Sequence, residues 1–467
     1  MSSLIEQLLD HAQALGGRAP SDPAREAALR FIADSVAVGL AGSRHPRRTQ
    51  VLQAAAAWGS GNDATEWISG RRWPAASAAL LNAWQIHNQE FDCVHERAVV
   101  HPMATILPAL VAVGERERVE GSSLVSAVVL AVDVAATIGS SQVAPMRFFR
   151  PAMCGALGAA VGLAALVRAS RTQMADALGI AYSQLAGTMQ AHAEGSPTLA
   201  LQVGLAARAA VTALDLALAG FSGPRDVLEG PFGYYNLFDQ PLAPRVAQVQ
   251  AEFEAWARRA RIEEVSHKPF PTGRAAHGAL DGLRTLVSSH GLRRDDIETV
   301  ELAAPPLILR LVGRPWRPDM DVNYARLCLP YLVGTWLLEG NVTLDHFDPT
   351  ALRRGDVEQR ARGVTWRPND CLDPNALAPQ TVRVGLRGGP SLQAELPAVL
   401  GHPARPLSAQ AQREKFDHCC AYAGLDATSA GVLHAACQGL AQAATLQPWL
   451  AAMQARWARD EARPRAG

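Results

Sequence analysis

Lysine is almost absent from this chain of 467 residues. Only Lys268 and Lys415 occur, against 42 arginines, a bias that genomic base composition explains at most positions. Arginine does not release its proton at working pH, whereas a buried lysine can. The two surviving lysines, and Lys268 in particular, are therefore candidates for chemistry.

An excess of either charge is also lacking. The chain has 44 basic and 44 acidic side chains, so its formal net charge is zero. A surface for nucleic acid or for an anionic membrane needs a basic excess, so the balance argues against both partners. The seven cysteines are scattered and odd in number, which indicates free thiols in a reducing compartment rather than a disulfide framework.

Targeting and membrane-spanning segments are not apparent. The N-terminal segment carries Glu6, Asp10 and His11 and lacks the basic start of a signal peptide. The longest apolar run, Leu124 to Ile138, is interrupted by an aspartate and is short for a bilayer. The sequence thus predicts a soluble, cytoplasmic protein.

Several nucleotide and hydrolase signatures are missing. The sequence has no GxGxxG, Walker, GxSxG or CxxC motif, so nucleotide-binding, P-loop kinase and esterase functions lose support. What the chain does have is apolar content, with 48% hydrophobic and 19% charged residues, enough for a large core. Disorder is excluded as the global state, and the length suggests two or three domains.

Alanine-rich apolar segments predict helix after helix in the first half of the chain. They lack the strict alternation of strands, and a helix that is apolar nearly all round is buried. Their small residues let neighbouring backbones approach closely. The predicted helices are Ala27–Gly42, Ala76–Asn88, Met103–Val113, Ser123–Gly139, Gly155–Ala169, Gln173–Leu185 and Leu201–Ala219.

The pattern changes near Ile262, where short strand-like runs begin to alternate with helices. Runs with a period of two predict strands, and the last two flank a Gly-Gly-Pro turn, which predicts a hairpin. The predicted strands are Thr299–Leu302, Thr381–Leu386 and Ser391–Glu395, and the helices are Gly273–Ser289, Tyr324–Leu338 and the tail from Ser408 to Arg463.

These patterns together predict a mainly α protein. We expect a large all-helical domain whose first part covers residues 1–262, followed by a smaller inserted α+β lid domain over residues 263–402. A helical tail over residues 403–467 is expected to rejoin the helical domain.

The densest polar cluster lies between two predicted apolar helices. Histidines and carboxylates are common metal ligands, but no zincin, EF-hand or di-iron spacing is met here. Acids that cap helices and histidines with ordinary hydrogen bonds are the structural alternative. The position between two apolar helices favours an active site. The cluster consists of His87, Glu90, Asp92, His95, Glu96 and His101.

A second cluster, residues 266–274, contains Lys268 and is followed by His277. Two prolines stiffen this loop, and the helix start that follows is a natural site for an anion. A lysine and a histidine there could bind a carboxylate or exchange protons; a polar domain hinge is the alternative. Burial, and charges on His267 and Arg274, would favour the neutral amine that a base requires.

Two further stretches precede apolar helices. Residues 192–198 contain Ser196, for which helix capping is the simplest interpretation. Arg147 and Arg150 stand just before the helix at Gly155, where a guanidinium could bind a substrate carboxylate through two hydrogen bonds or could remain solvated.

Six short motifs occur in order along essentially the whole chain. They are Asn82–Pro102 with Leu107–Ala109, Gly155–Ala160, Glu194–Ser196, Gly220–Pro224 with Val227–Gly230, Lys268–Pro271 with His277, and Leu329–Tyr331. Together they resemble the MmgE/PrpD family, which includes 2-methylcitrate dehydratase, cis-aconitate decarboxylase and iminodisuccinate epimerase.

The resemblance implies a helical domain built from both chain ends, an inserted lid, a homodimer and an active site between the domains. It assigns functional positions to Glu90, His101 and His277, with Lys268 in the matching lid loop. The reactions of this family begin by removing a proton α to a carboxylate, and the resemblance implies neither a cofactor nor a metal.

The chain departs from the family pattern at three places. Residues 90–94 read Glu-Phe-Asp-Cys-Val instead of Asp-Phe-Asp-Asp followed by Thr. Leu199 and Gln202 stand where the dehydratases and decarboxylases carry Lys and His, and residues 149–153 replace a His-x-Thr-x-Thr run. An arginine at position 150 would suit a dicarboxylate, so the epimerase branch resembles this chain better.

The favoured hypothesis is therefore an epimerase of a small amino- or imino-dicarboxylate. Lys268 is the predicted base, and Tyr235, His101 or His277 returns the proton from the other face, with Glu90 also catalytic. A dehydratase or decarboxylase acting on a tricarboxylate, and a non-catalytic carboxylate-binding protein, are the alternatives. The predicted substrate-binding residues are Arg150, Asp92, Ser196, Arg274 and Tyr331.

Overall fold

The computed structural model describes residues 3–16 and 18–454 and confirms a mainly α protein. The predicted tail helix beyond Gln454 lies outside the described residues. In the N-terminal half the helices are α1 Leu4–Gly16, α2 Asp22–Ala41, α3 Arg48–Ala57, α4 Ala75–His87, α5 Pro102–Arg116, α6 Gly121–Ser140, α7 Arg150–Leu166, α8 Arg171–Ser183, α9 Gln190–Glu194, α10 Thr198–Leu218, α11 Tyr234–Phe238 and α12 Val246–Glu254.

The second half mixes helices with a four-stranded sheet. Its helices are α13 His277–His290, α14 Pro306–Val312, α15 Val322–Ala325, α16 Leu329–Glu339, α17 Gly355–Ala361, α18 Ala409–Ala423, α19 Ala427–Gln438 and α20 Gln447–Gln454. The strands of the described chain are β1 Ala64–Thr65, β2 Arg72–Trp73, β3 Ile297–Ala304, β4 Val364–Pro368, β5 Gln380–Leu386 and β6 Ser391–Leu396.

The sheet confirms the predicted hairpin and adds a strand that the sequence did not indicate. Its order is β4-β3-β5-β6, with β5 and β6 antiparallel as predicted. Strand β4 pairs parallel to β3, with Val300 opposite Val364, and most of its five residues are exposed. The short pair β1–β2 also interrupts the part predicted to be wholly helical.

Helices α4, α5, α6, α7 and α10 form the packed centre of the helical part. Helix α6 is buried along almost its whole length, as its all-round apolar sequence predicts. A Cβ added at Gly158 would lie 2.4 Å from the carbonyl oxygen of Ala131, and one at Gly162 would lie 2.7 Å from the Ala131 Cβ. Glycine therefore sets the close approach of α6 and α7, as the small-residue composition predicted.

Two helices, α6 and α10, are long and apolar enough to cross a membrane by length and composition alone. In the most apolar window of each, 83% of the α6 residues and 50% of the α10 residues are buried inside the fold. Core helices of soluble proteins pass the same test, and α6 has the packing of one. The cytoplasmic location stays a prediction.

The fold brings the two sequence clusters into contact. Helix α4 ends at His87 and α5 begins at Pro102, so the first cluster forms the connection between two buried helices. The second cluster lies against it, because Val94 and Ser266 exchange backbone hydrogen bonds of 3.0 and 2.8 Å. Residues that are remote in sequence thus share one polar centre inside a mostly apolar core.

Candidate active site

Two histidines share one buried carboxylate at this centre. The Nδ1 of His87 lies 2.9 Å from Oδ2 of Asp92, within hydrogen-bond distance. The Nδ1 of His101 lies 3.2 Å from the same oxygen, at an angle that makes it an ion-pair contact rather than a straight hydrogen bond. The two rings are 5.0 Å apart and nearly perpendicular. Asp92 therefore orients both imidazoles and leaves each Nε2 for other contacts.

The surroundings push the two imidazoles toward different protonation states. Burial alone lowers the pKa of His87, but the carboxylates of Asp92 and Glu90 outweigh it and raise that pKa above its usual value. Burial, with the charge of Lys268, lowers the pKa of His101 despite the pull of Asp92. His87 thus favours the imidazolium and His101 the neutral ring, which is the arrangement of an acid and a base.

Lys268 is fully buried and points at carboxylates. Its Nζ donates to Oε2 of Glu90 at 3.1 Å and to the Glu90 carbonyl at 3.0 Å, and lies 3.8 Å from Oδ1 of Asp92. Burial opposes it, but Lys268 lowers the pKa of Glu90 to about 2. The sequence analysis expected charges on His267 and Arg274 to act on Lys268, and this expectation is wrong. Arg274 pairs with Glu96, and burial keeps the pKa of His267 well below its usual range. The electrostatic argument for a neutral amine is therefore removed.

Three buried cations donate hydrogen bonds to three consecutive backbone carbonyl groups in the connection between α4 and α5, residues 88–101, which we call the site loop. Arg326 donates to the carbonyl of Gln89 at 2.8 Å, Lys268 to that of Glu90 at 3.0 Å and Lys415 to that of Phe91 at 2.9 Å. Glu90 has a φ of 51°, in the left-handed region that a side chain disfavours. The contacts fix this strained backbone from three directions.

A cavity of about 50 Å³ adjoins the histidine pair. It is smaller than usual ligand pockets. Its polar lining consists of His87, Glu90, His101, His192 and Arg274, and its apolar lining is Val94, Val99, Met146, Phe149, Pro151, Met189, Leu199, Gly273, Ala275, Leu311, Val312, Leu327 and Leu377.

Arg274 lies at this cavity, but its donors are already engaged. Its Nε and Nη2 bond to Oε1 of Glu96 at 3.1 and 2.8 Å, and other N–H groups reach the carbonyls of Val399 and Leu400. His277 lies behind it, 3.4 Å from Nη1, and is fully buried outside the cavity lining. Burial and Arg274 hold the pKa of His277 well below its usual range, so the ring is neutral.

The remaining predicted residues are dispersed around the centre. Tyr235 is buried beside Tyr234, outside the cavity lining, and burial raises its pKa. Ser196 accepts from the backbone of Thr198 at 3.3 Å, a local contact just before α10, whose N-cap residue is Pro197 and not Ser196. The hydroxyl of Tyr331 donates to a backbone carbonyl and also lies outside the lining.

Arg150 begins α7 between two residues of the cavity wall, Phe149 and Pro151. Its Nη2 donates to the carbonyl of Ala144 and to Oδ1 of Asn375, both at 2.9 Å, while its Nη1 is buried without a partner. The structure therefore leaves one guanidinium edge of Arg150 available for a carboxylate.

Three residues at the centre were not among the sequence candidates. His192 lines the cavity and accepts from Arg314, and Arg326 fixes the site loop. His192 stood within a singled-out stretch, whereas the two arginines carried no signal among the 42 of the chain. Leu199, noted as a departure from the family pattern, does line the cavity.

A divalent metal is not expected here, although His87, Asp92 and His101 present donor atoms within 4.8 Å of one another. Oδ2 of Asp92 already contacts both imidazoles, and Oδ1 lies 3.8 Å from the ammonium of Lys268, whose charge opposes a cation. Elemental analysis should find no stoichiometric metal, and chelator should leave turnover unchanged. About one zinc or iron per chain would contradict this prediction.

Comparison with known proteins identifies the family of the chain. The sequence models of the MmgE/PrpD N-terminal and C-terminal domains match residues 6–246 and 270–435. Cis-aconitate decarboxylase from Homo sapiens is 27% identical over 405 residues, covering 83% of this chain and 81% of that protein. The Aspergillus terreus cis-aconitate decarboxylase is 29% identical over 407 residues, covering 82% of each. The chain therefore belongs to the MmgE/PrpD family of enzymes, as its motifs predicted.

Proposed function

We propose that the chain is a cofactor-independent lyase of a small di- or tricarboxylate. The observation that carries the proposal is the histidine pair on Asp92 at the cavity, with His87 favouring the imidazolium and His101 the neutral ring. The similarity to cis-aconitate decarboxylases supports a lyase over the epimerase that the sequence alone favoured.

The pair supplies the proton transfers that a lyase needs. In a decarboxylation, the bond to the departing carboxylate breaks, CO₂ leaves and its electron pair stays on the substrate until a proton arrives. The imidazolium of His87 is the proposed donor. In a dehydration, neutral His101 takes the proton α to a carboxylate while His87 protonates the leaving hydroxyl. Lys268 stays with Glu90 and Asp92 and stabilises their charges.

Turnover tests the proposal directly. Purified enzyme is incubated with cis-aconitate, unsaturated dicarboxylates and hydroxylated polycarboxylates, and CO₂ release and ultraviolet absorbance of a new alkene are followed. We expect either CO₂ or a new alkene from at least one acid. In deuterated water, exchange of the α-hydrogen without bond cleavage would instead support the epimerase and contradict the lyase.

The dependence of turnover on pH should distinguish the two lyase reactions. The pKa of His87 is raised above 6.5, so the donor is present at pH 6.5 and is lost on the alkaline side. The pKa of His101 is lowered below 6.5, so the base is lost only on the acidic side. A decarboxylase should therefore show the alkaline limb alone, and a dehydratase both limbs. His87→Gln should remove the alkaline limb; a limb that persists would contradict its assignment.

The homodimer implied by the family resemblance remains part of the proposal. Light scattering should give twice the mass of the chain, and a monomer at assay concentration would contradict it.

A further inference from the structure

Arg314 is a buried guanidinium without a counter-ion. Its residue is 7% exposed, and within residues 3–454 no carboxylate is recorded in an ion pair with it. Nη2 donates to Nδ1 of His192 at 3.0 Å and to the His192 carbonyl, whereas Nη1 has no partner. The carboxylate of Glu90 acts on it only through space and already binds Lys268. A buried, unpaired charge is unfavourable, so a site of this kind suits an incoming anion.

The contact with Arg314 also fixes the tautomer of His192. Arginine can only donate, so Nδ1 of His192 accepts and the ring proton lies on Nε2. Burial, with the charge of Arg314, lowers the pKa of His192 to about 3, so the ring stays neutral. His192 lines the cavity, so its Nε2–H is a donor for a substrate carboxylate, while Arg314, which is not part of the lining, holds the opposite side of the ring and adds its positive charge.

Two of the other cations near the cavity are already neutralised. Arg274 is paired with Glu96, and Lys268 with Glu90 and Asp92. Arg150 lies next to the wall residues Phe149 and Pro151, outside the lining itself, and retains one free edge, while the wall is mostly apolar. Two buried guanidiniums therefore remain without a carboxylate, enough for two substrate carboxylates, whereas a third would be buried without a partner.

We propose that the Nε2–H of His192, with the charge of Arg314 behind the ring, binds one substrate carboxylate, and that the substrate is a dicarboxylate carrying an alkyl arm rather than a tricarboxylate. The assignment of the cavity as the substrate site rests on the proposed function. The alkyl arm packs on the apolar wall, and the second carboxylate faces Arg150.

Calorimetry with unreactive acids tests this inference without turnover. The probes are 2-methylsuccinate, with two carboxylates and a methyl arm, and tricarballylate, with three carboxylates. Methylsuccinate should bind at least tenfold more tightly, and Arg314→Met should weaken its binding by about 10–100-fold, as expected for a charged hydrogen bond. The matched control is Arg317→Met, because Arg317 is exposed and lies over the same Tyr324 ring. This variant should bind methylsuccinate as tightly as the wild type.

Each outcome decides a separate point. Equal or tighter binding of tricarballylate, unchanged binding by Arg314→Met, or no binding of either probe by the wild type would overturn the inference. If Arg314→Met does not fold, Arg314→Gln removes the charge while keeping a donor, and unchanged binding by that variant is equally decisive. Binding that follows the prediction without any product in the lyase assay would leave the inference standing and remove the proposed function.

A different observation, the three cations on consecutive carbonyls, supports a second proposal. We infer that Lys415 and Arg326 are positioning residues, which act on catalysis only by fixing the backbone of residues 89–91. Lys415 also pairs with Asp34 at 2.7 Å, and its charge lies 4.2 Å from the centre of the Phe91 ring. Its loss should let the strained backbone of Glu90 relax and displace Asp92 from the histidines.

The test separates positioning from stability. Lys415→Met should lower kcat at least tenfold with KM little changed, and should shift the NMR titrations of His87 and His101; Lys415→Arg should restore both. Asp34→Asn breaks the ion pair with Lys415 but leaves the hydrogen bond from Lys415 to the Phe91 carbonyl in place. This variant should therefore have a lower melting temperature and an unchanged kcat. Equal kcat losses in the two variants, or unchanged histidine titrations in Lys415→Met, would overturn the proposal. If Lys415→Met does not fold, Lys415→Gln keeps a donor, and the same titrations decide.

Discussion

Replacing Asp92 by asparagine is expected to lower turnover by about 10³–10⁴, the largest effect of any conservative change in this site. The carboxylate lies 2.9 Å from His87 Nδ1 and 3.2 Å from His101 Nδ1, so it sets the orientation of both rings. An amide can donate to Nδ1 and reverse the tautomer, and it no longer supports the raised pKa of His87. Steady-state kinetics with the best substrate of the panel measure the loss.

Asp133→Asn provides the matched control for this variant. Asp133 is also buried against a histidine, with Oδ2 3.2 Å from Nε2 of His11, and it lies outside the cavity lining. The control should lose stability and keep turnover. If Asp92→Asn retains turnover within tenfold of the wild type, the shared-carboxylate mechanism is wrong.

Lys268→Met is expected to cost about 3–5 kcal/mol of unfolding free energy at neutral pH. The substitution keeps the length of the side chain but leaves Glu90 and Asp92 as buried carboxylates without their cation. Because Lys268 holds the pKa of Glu90 at about 2, below the ordinary 4.5, this stabilisation is present above pH 4.5. It is lost as the pH falls toward 2. The gap between variant and wild type should therefore be wide at pH 7 and narrow on acidification, as followed by urea denaturation.

Lys415→Met is the matched buried-lysine control for the pH dependence. Burial raises the pKa of its partner Asp34 even against the pull of Lys415, so the stabilisation by this pair should be lost around the raised pKa of Asp34, at a higher pH than the stabilisation by Lys268. An equal gap at pH 7 and pH 3 for Lys268→Met would contradict the role of Lys268 as the cation for Glu90. Near-normal turnover of Lys268→Arg would in addition remove Lys268 from the proton-transfer role that the sequence suggested.

The sequence by itself determined the local structure and the chemistry-bearing segments. Apolar periodicity located the major buried helices, because a helix with apolar residues on all its faces is buried and this pattern can be read from consecutive residues. The Gly-Gly-Pro turn predicted the β5–β6 hairpin for the same reason. The polar cluster from His87 to His101 and the loop at Lys268 were both found from sequence, and the structure joins them.

Only the tertiary structure decided how the charges in that centre are paired. Lys268, Arg326 and Lys415 reach residues 89–91 across separations of 178, 237 and 324 positions along the chain. Which carboxylate neutralises which cation depends on distances of 3 to 4 Å after folding, and no local pattern records them. For that reason the sequence predicted a neutral Lys268 among cations, whereas the fold places it between two carboxylates and leaves Arg314 and Arg150 without a carboxylate partner.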